Sequence, residues 1–461
     1  MIKFAGRMAR PLKIAVVGAG PSGLFAAGAL VERLGDRVWV DVIDRLLTPY
    51  GLVRYGVAPD HPTIKSVVSA LEVVLESDGV RFLGGVDFGR DIVVDDLRRC
   101  YDAVVYAAGA PQARRLCIPG EDLQGSVSAT DLVNWYNGHP DAMDDFGIEA
   151  ESVVVIGAGN VALDVGRILT RDYEDLAKTD MPDAVLARLR DNTVRNVHLV
   201  ARRGAEFAKY SSKELRELGR VASVDRIVHA DELPAPNARD VDRATKANLD
   251  LFDQWCEEAA RPTARKVHLR FGLQPVKIVG DGRVEGVVFE RTAVGENGTV
   301  TGTGEFTSID AQIVVRAVGY LGVELAGVPF DERTGTVPNV AGRVVTPGGG
   351  VVSGEYVTGW LKRGPSGVIG TNKVDAGETV AALIEDLDDL PRPERDPVES
   401  VLDGSGRQWV TYEGWQLIDR AEVARGQAQG RQRSKISDWR TLSGIAMGVR
   451  QLSSQEGSRA R

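Results

Sequence analysis

Lys13-Ile14-Ala15-Val16-Val17-Gly18-Ala19-Gly20-Pro21-Ser22-Gly23 is the stretch that decides the fold. Apolar and β-branched residues run straight into G-x-G-x-x-G, and an apolar helical pattern follows over residues 24–34. That order is strand, tight turn, helix. Gly18 permits the turn, Gly20 lets a pyrophosphate approach the backbone, and Gly23 lets the helix sit close on the strand. The helix N-terminus adds N–H donors and partial positive charge for phosphates. A lone glycine fingerprint is weak, because glycine turns are common, but here both flanks agree. A second strand over residues 38–43 ends in Asp44, about where such a unit places the carboxylate that holds ribose hydroxyls.

The same signature returns as Val153-Val154-Val155-Ile156-Gly157-Ala158-Gly159-Asn160-Val161-Ala162, now G-x-G-x-x-A. Two fingerprints in one chain imply two dinucleotide-binding domains. Alanine in the third place keeps the second helix slightly further from its strand. Residues 197–201 read as the strand after the crossover, and Arg202 and Arg203 stand at its end. An NAD site carries a carboxylate there. Paired guanidiniums suit a 2′-phosphate, so this site is expected to take NADP; the alternative is a solvated Arg-Arg turn. Asp44 suits the ribose of a tightly held FAD. The expected fold is α/β with two Rossmann-like, three-layer domains, the NADP domain inserted into the FAD domain. The boundaries are residues 1–110 and 320–461 for FAD and 111–319 for NADP.

Residues 1–11 read as a flexible basic start. Residues 48–62 are dense in Pro and Gly and read as a loop, followed by an amphipathic helix over 63–78 and strands over 81–86 and 101–107. A charged, proline-containing insertion over 171–192 lengthens the second crossover. Residues 225–315 are strand-like and irregular, with a helical run carrying Leu249, Leu251, Phe252 and Trp255. A strand over 309–318 is expected to return the chain to the first domain. Beyond it, Tyr356 and Val357 sit on a short strand, Trp360 begins a turn, and a glycine loop precedes a helix over 374–387. That helix would aim its N-terminal dipole at the flavin, with Trp360 at the nicotinamide–flavin junction. Trp409, Trp415 and Trp439 anchor the last part on the FAD domain, and residues 451–461 read as disordered.

The chain has 461 residues, too many for one core, and 52 glycines without a period, which fits many βα turns. A net charge of −9 opposes bulk attraction to nucleic acid, so an acidic partner needs a local basic patch. Three widely spaced cysteines with no C-x-x-C exclude a redox dithiol, a zinc ribbon and a cysteine-held iron–sulfur cluster, and no metal site is expected. No apolar run suits a membrane span and no signal-peptide core is visible, so a cytoplasmic protein without membrane insertion is expected.

With these residues laid out, the chain resembles the adrenodoxin-reductase-type ferredoxin–NADP reductases. The most specific segments are Gly56-Val57-Ala58-Pro59-Asp60-His61-Pro62 and Gly364-Pro365-Ser366-Gly367-Val368-Ile369-Gly370-Thr371-Asn372. Ile118-Pro119-Gly120-Glu121-Asp122, Arg202-Arg203-Gly204 and Glu214-Leu215-Arg216-Glu217 support them, in family order from residue 12 to about residue 440. The resemblance implies FAD at Ser22, Asp44, Leu52 and Val86, with Trp360, Gly367, Val368 and Ile369 over the ring. It implies NADP at Arg114, Gly159, Asn160, Val161, Arg202, Arg203, Glu214 and Gly367. It puts His61 and Glu217 near the reacting rings as orienting or proton-managing groups. Asp44 stands where many relatives carry glutamate, which loosens the expected ribose contact.

The implied activity passes a hydride from NADPH to FAD and then single electrons to a ferredoxin or similar iron–sulfur carrier. Arg261, Arg265, Lys266, Arg216 and Arg220 are candidates for the basic docking face. Rival readings are a flavin monooxygenase, whose F-x-G-x-x-x-H linker is missing, and a glutamate-synthase-like subunit, whose cysteine clusters are missing. A thiol–disulfide flavoreductase lacks its dithiol here, and a non-enzymatic flavoprotein scaffold is a fourth alternative.

Overall fold

The computed structural model describes residues 10–143, 146–235, 241–259, 265–295, 298–404, 406 and 408–448. The expectations for the extreme termini and for Arg261 lie outside these. Leu12–Val17 is an interior strand of a seven-stranded sheet, pairing in parallel with Val38–Asp44 on one side and Ala103–Tyr106 on the other. Val80–Gly84 lies beyond Val38–Asp44. Beyond Ala103–Tyr106 come Val351–Val357, then Arg343–Val345 and Asn339–Val340, strands supplied after a long excursion of the chain. The central strands are apolar almost throughout because both faces are covered. Ile14 and Val16 face one core with Leu24, Leu30 and Val380, while Ala15 and Val17 face another with Leu97 and Leu361.

The excursion builds a second sheet in the order Ser126–Ser128, Ile313–Arg316, Ser152–Ile156, Asn196–Val200, Arg265–Arg270, Val224–Val228. Helices, among them Asn160–Thr170 and Arg243–Glu257, cover one face through Val153, Val155, Leu163 and Phe252. A three-stranded antiparallel sheet, Leu273–Val279, Gly286–Val294 and Val300–Asp310, covers the other through Val154, Ile156 and Phe289. Each domain is therefore three-layered, with the second inserted into the first. Both crossings run side by side, as Gln112–Ala113 pairs with Tyr320–Leu321.

Four expectations need correction. Residues 48–62 contain the short helix Leu52–Tyr55, and Pro62 already opens another. The helix expected over 63–78 divides into Pro62–Lys65 and Val68–Leu75, with the Ser66 hydroxyl bonding back to the Thr63 carbonyl at the break. The strand expected over 309–318 is two strands. Val300–Asp310 belongs to the antiparallel cover and Ile313–Arg316 to the parallel sheet, the bend being held by Ala311 N to Glu285 O and Gln312 N to Ser152 O. The chain thus completes the second sheet before it returns. The helix after the glycine loop runs Ile369–Glu385 and starts earlier than its glycines suggested, because the Thr371 hydroxyl accepts from Val368 N at its first turn.

Candidate functional site

The two fingerprints build matching cradles. Gly18 has φ +115°, and a Cβ there would lie 2.4 Å from the Ala107 carbonyl oxygen. A Cβ on Gly23 would lie 1.9 Å from the Gly18 oxygen, so the helix Pro21–Leu34 rests on the turn itself. In the second cradle a Cβ on Gly157 would meet the Ala317 oxygen at 2.3 Å. Gly20 and Gly159 differ from these: a Cβ on either would meet nothing within 4 Å. Each therefore leaves open room beside a helix N-terminus that carries no side-chain cap and no acid in its first turn. Unpaired N–H groups beside open space are what a pyrophosphate requires, so both cradles fit a dinucleotide.

The strand ends differ in charge. Asp44 accepts from Ala19 N at 2.7 Å and from Leu46 N at 2.8 Å, bracing the first glycine turn. Burial raises its pKa, and those two backbone bonds oppose the shift. Arg202 and Arg203 hold the matching place in the second domain. Their carbonyls are fixed by the Thr292 hydroxyl and Gly272 N, whereas Arg203 Nε is buried without a partner. Asn160 Oδ1 accepts from Ser211 N at 2.8 Å, and Ser211 caps the helix Ser212–Arg220.

That helix carries Glu214 and Glu217 to the boundary between the domains. His61, 4% exposed, reaches it from the first domain. Its Nδ1 lies 2.9 Å from Glu217, and its Nε2 lies 2.9 Å from Glu214 and 3.2 Å from Asp164. Arg167, fully buried, contacts His61 and Asp164 and grips Asp60 at 2.6 and 2.9 Å. Burial pulls the His61 pKa down, but the bonds to Asp164 and Glu214 outweigh both burial and Arg167 and lift it to about 9. His61, Glu214 and Glu217 are near enough to ligate a metal. Each ring nitrogen faces a different glutamate, which favours the charged imidazole against the opposing Arg167, and the same guanidinium disfavours a metal ion.

The cover over the first cradle is braced by Asp375, whose carboxylate accepts from Thr358 Oγ1 at 3.0 Å and pairs with Lys362 at 3.0 Å. Gly359 abuts Ser22, where a Cβ would lie 2.3 Å from the hydroxyl. Trp360 lies 5.7 Å from Tyr320 between ring centroids and donates to the Ser366 carbonyl at 3.2 Å. Gly367 adopts φ +80° beside it, ahead of Val368 and Ile369. Val368 is 71% exposed and Leu52 43% exposed, both apolar and uncovered beside the first cradle.

The structure thus brings His61, Glu214 and Glu217 into one cluster, although Glu214 was expected on the nucleotide. Val86 offers only its backbone, its side chain being buried. Arg114 lies in the paired crossing, its N–H on the Gly319 carbonyl. Arg265 and Lys266 begin a parallel strand and so lie at the end of the sheet away from Arg202 and Arg203, and Arg265 spends its guanidinium on Arg171 O and Asn192 O. Arg216 and Arg220 are exposed on the helix of Glu217. Sequence reasoning missed Asp60, Asp164, Arg167 and Asp375. Asp164 and Arg167 share one helix face three apart, just past the second fingerprint, which was a readable signal.

Residues 12–222 match the family described as pyridine nucleotide-disulphide oxidoreductase. The chain is 42% identical over 463 residues to an NADPH-ferredoxin reductase, FprA, of Mycobacterium tuberculosis, covering 95% of this chain and all of that protein. It is 36% identical over 469 residues to a mitochondrial NADPH:adrenodoxin oxidoreductase of Arabidopsis thaliana, covering 96% and 97%. The solved structure of Mycobacterium tuberculosis FprA in complex with NADPH superimposes with a TM-score of 0.90 at 41% identity, covering 95% of this chain and 100% of that one.

Proposed function

Because this chain belongs to the NADPH-ferredoxin reductases of adrenodoxin-reductase type, we propose a division of labour between its two cradles. The protein is a flavoprotein oxidoreductase that moves electrons from NADPH through FAD to a ferredoxin-type iron–sulfur carrier. The cradle of Gly18, Gly20, Ser22 and Gly23 holds FAD, with Asp44 on its ribose, Leu52 beside it and the backbone of Val86, Gly367, Val368 and Ile369 around it. The cradle of Gly157, Gly159, Asn160 and Val161 holds NADP, with Arg202 and Arg203 on the 2′-phosphate and Arg114 alongside. These assignments make residues 1–110 and 320–461 the FAD domain and residues 111–319 the NADP domain.

FAD, when bound, takes two electrons together and releases them one at a time. The chain supplies distance, orientation and charge. His61 keeps a proton on each ring nitrogen, one toward Glu217 and one toward Glu214 and Asp164, which fixes the imidazole between the domains. Trp360 and Tyr320 cover the junction and exclude water. Arg216 and Arg220 give an acidic carrier a positive edge next to that junction. We place the enzyme in the cytoplasm, in keeping with its three unpaired thiols.

The observation that carries this reading is the pair of open cradles at Gly20 and Gly159, bearing opposite charge at their strand ends. Cytochrome c reduction by the FAD-loaded protein tests it. Activity should depend on added ferredoxin and on NADPH, and should fall when Arg216 and Arg220 are both replaced by glutamate. Equal activity without ferredoxin would contradict the reading, as would a hydroxylated product formed with NADPH and oxygen, which favours a monooxygenase.

A further inference from the structure

The boundary between the domains holds a second charged cluster, remote in sequence from the first. Lys435 follows the helix Tyr412–Gln427 and is 2% exposed. Its Nζ donates to the Arg54 carbonyl at 2.9 Å, and to the carbonyl and Oδ1 of Asn137, both at 3.1 Å. It pairs with Asp180 at 3.3 Å. Lys65 grips the same carboxylate at 2.8 and 2.6 Å. Arg54 and Lys65 come from the first domain, and Asn137 and Asp180 from the second. One ammonium thus ties both to the C-terminal segment.

The clasp is itself held rigidly. Glu422, fully buried, takes both terminal nitrogens of Arg54 at 3.0 and 2.5 Å and accepts from Ile436 N at 2.9 Å. The Arg54 guanidinium lies 5.0 Å from the Tyr55 ring and 5.1 Å from that of Trp415. The short helix of Arg54 begins just after Gly51, where a Cβ would sit 2.9 Å from Gly20 Cα in the first cradle. The cluster therefore adjoins the first cradle on one side and, through Asn137 and Asp180, the second domain on the other.

An ammonium is an expensive side chain to bury, and burial lowers the pKa of Lys435 despite Asp180. A cluster replaced as a whole by apolar side chains would fill the space at lower cost. What the ammonium adds is direction, since its three donors point at fixed acceptors in both domains. Transfer between two bound rings demands that directionality, because reacting atoms must meet at about 3–3.5 Å and a 1 Å error costs about a hundredfold in rate.

We propose that Lys435 is a positioning residue for hydride transfer: with Asp180, Lys65 and Asn137 it clasps the two domains at the separation that brings nicotinamide to flavin. The inference rests on FAD and NADP occupying the cradles assigned above.

The test is anaerobic stopped-flow reduction of the FAD-loaded full chain by NADPH, comparing wild type with Lys435→Met, Lys435→Arg and Lys65→Met. In Lys435→Met the limiting rate of flavin bleaching should fall about tenfold or more, while the NADPH dissociation constant stays within about twofold. Lys435→Arg should recover part of the rate, and Lys65→Met should slow it less, in the same direction. Limiting rates within about twofold of wild type overturn the proposal, as does a loss confined to NADPH affinity. If Lys435→Met does not fold, Lys65→Met and Asp180→Asn decide by the same split. A wild type that NADPH cannot bleach overturns the cradle assignment and the clasp together, whereas a bleaching wild type with unaffected variants overturns the clasp alone.

Discussion

The two cradles share a backbone and differ in what stands at the strand end and in how closely the helix approaches. In the first, Gly23 leaves no room for a methyl group, and a carboxylate at Asp44 braces the turn. In the second, Ala162 is accommodated and buried, and two arginines replace the acid. Helix–strand geometry therefore makes a phosphate site, and the residue at the end of the next strand selects which nucleotide fills it.

Gly23→Ala should have the largest effect. Its Cβ would fall 1.9 Å from backbone oxygen, so the helix must lift off the turn. FAD should be lost on gel filtration, and the protein should melt earlier by the equivalent of about 2 kcal/mol or more. The counterpart Ala162→Gly should cost only about 1 kcal/mol, the helix propensity of glycine, and keep NADPH binding.

Next in size is coenzyme choice. Replacing Arg202 and Arg203 with alanine should cut the NADPH-over-NADH ratio of kcat/KM tenfold or more, at about 1.5–3 kcal/mol for each charged contact. FAD content should not change. An unaltered ratio would remove the arginines from the phosphate site.

Asp44→Asn should be milder. Its one remaining oxygen can accept from Ala19 N in the glycine turn or from Leu46 N but not from both, so FAD should bind about three- to tenfold more weakly, measured by release on dilution. The smallest effect concerns His61. Its folded pKa of about 9 exceeds the ordinary histidine value of about 6.5, so its stabilisation is complete below about pH 6.5 and is lost as pH rises through about 9. Wild type should lose melting temperature over that window by a few degrees more than His61→Gln.

Much of this was legible in the sequence, for a local reason. Apolar, mostly β-branched runs at 14–17 and 153–156, each followed by glycine, fix strand and turn within a dozen residues, and Arg202 and Arg203 announce their charge in place. What stayed hidden depends on distant partners. Nothing near Lys435 in the sequence says that its ammonium is buried between Arg54, Asn137 and Asp180. The meeting of Glu214 with His61 from the other domain is just as invisible locally. Gly370 suggests a loop, whereas the helix already begins at Ile369, with the Thr371 hydroxyl accepting from Val368 N at its first turn.

The reading proposed above has one chain hold two nucleotides of different kind in its two cradles. Its most direct measurement is the visible spectrum of the purified protein during anaerobic titration with NADPH and, separately, NADH. A yellow protein carrying FAD is expected, bleached by NADPH at far lower concentration than by NADH. A colourless protein that takes up no FAD, or equal bleaching by both coenzymes, would contradict it.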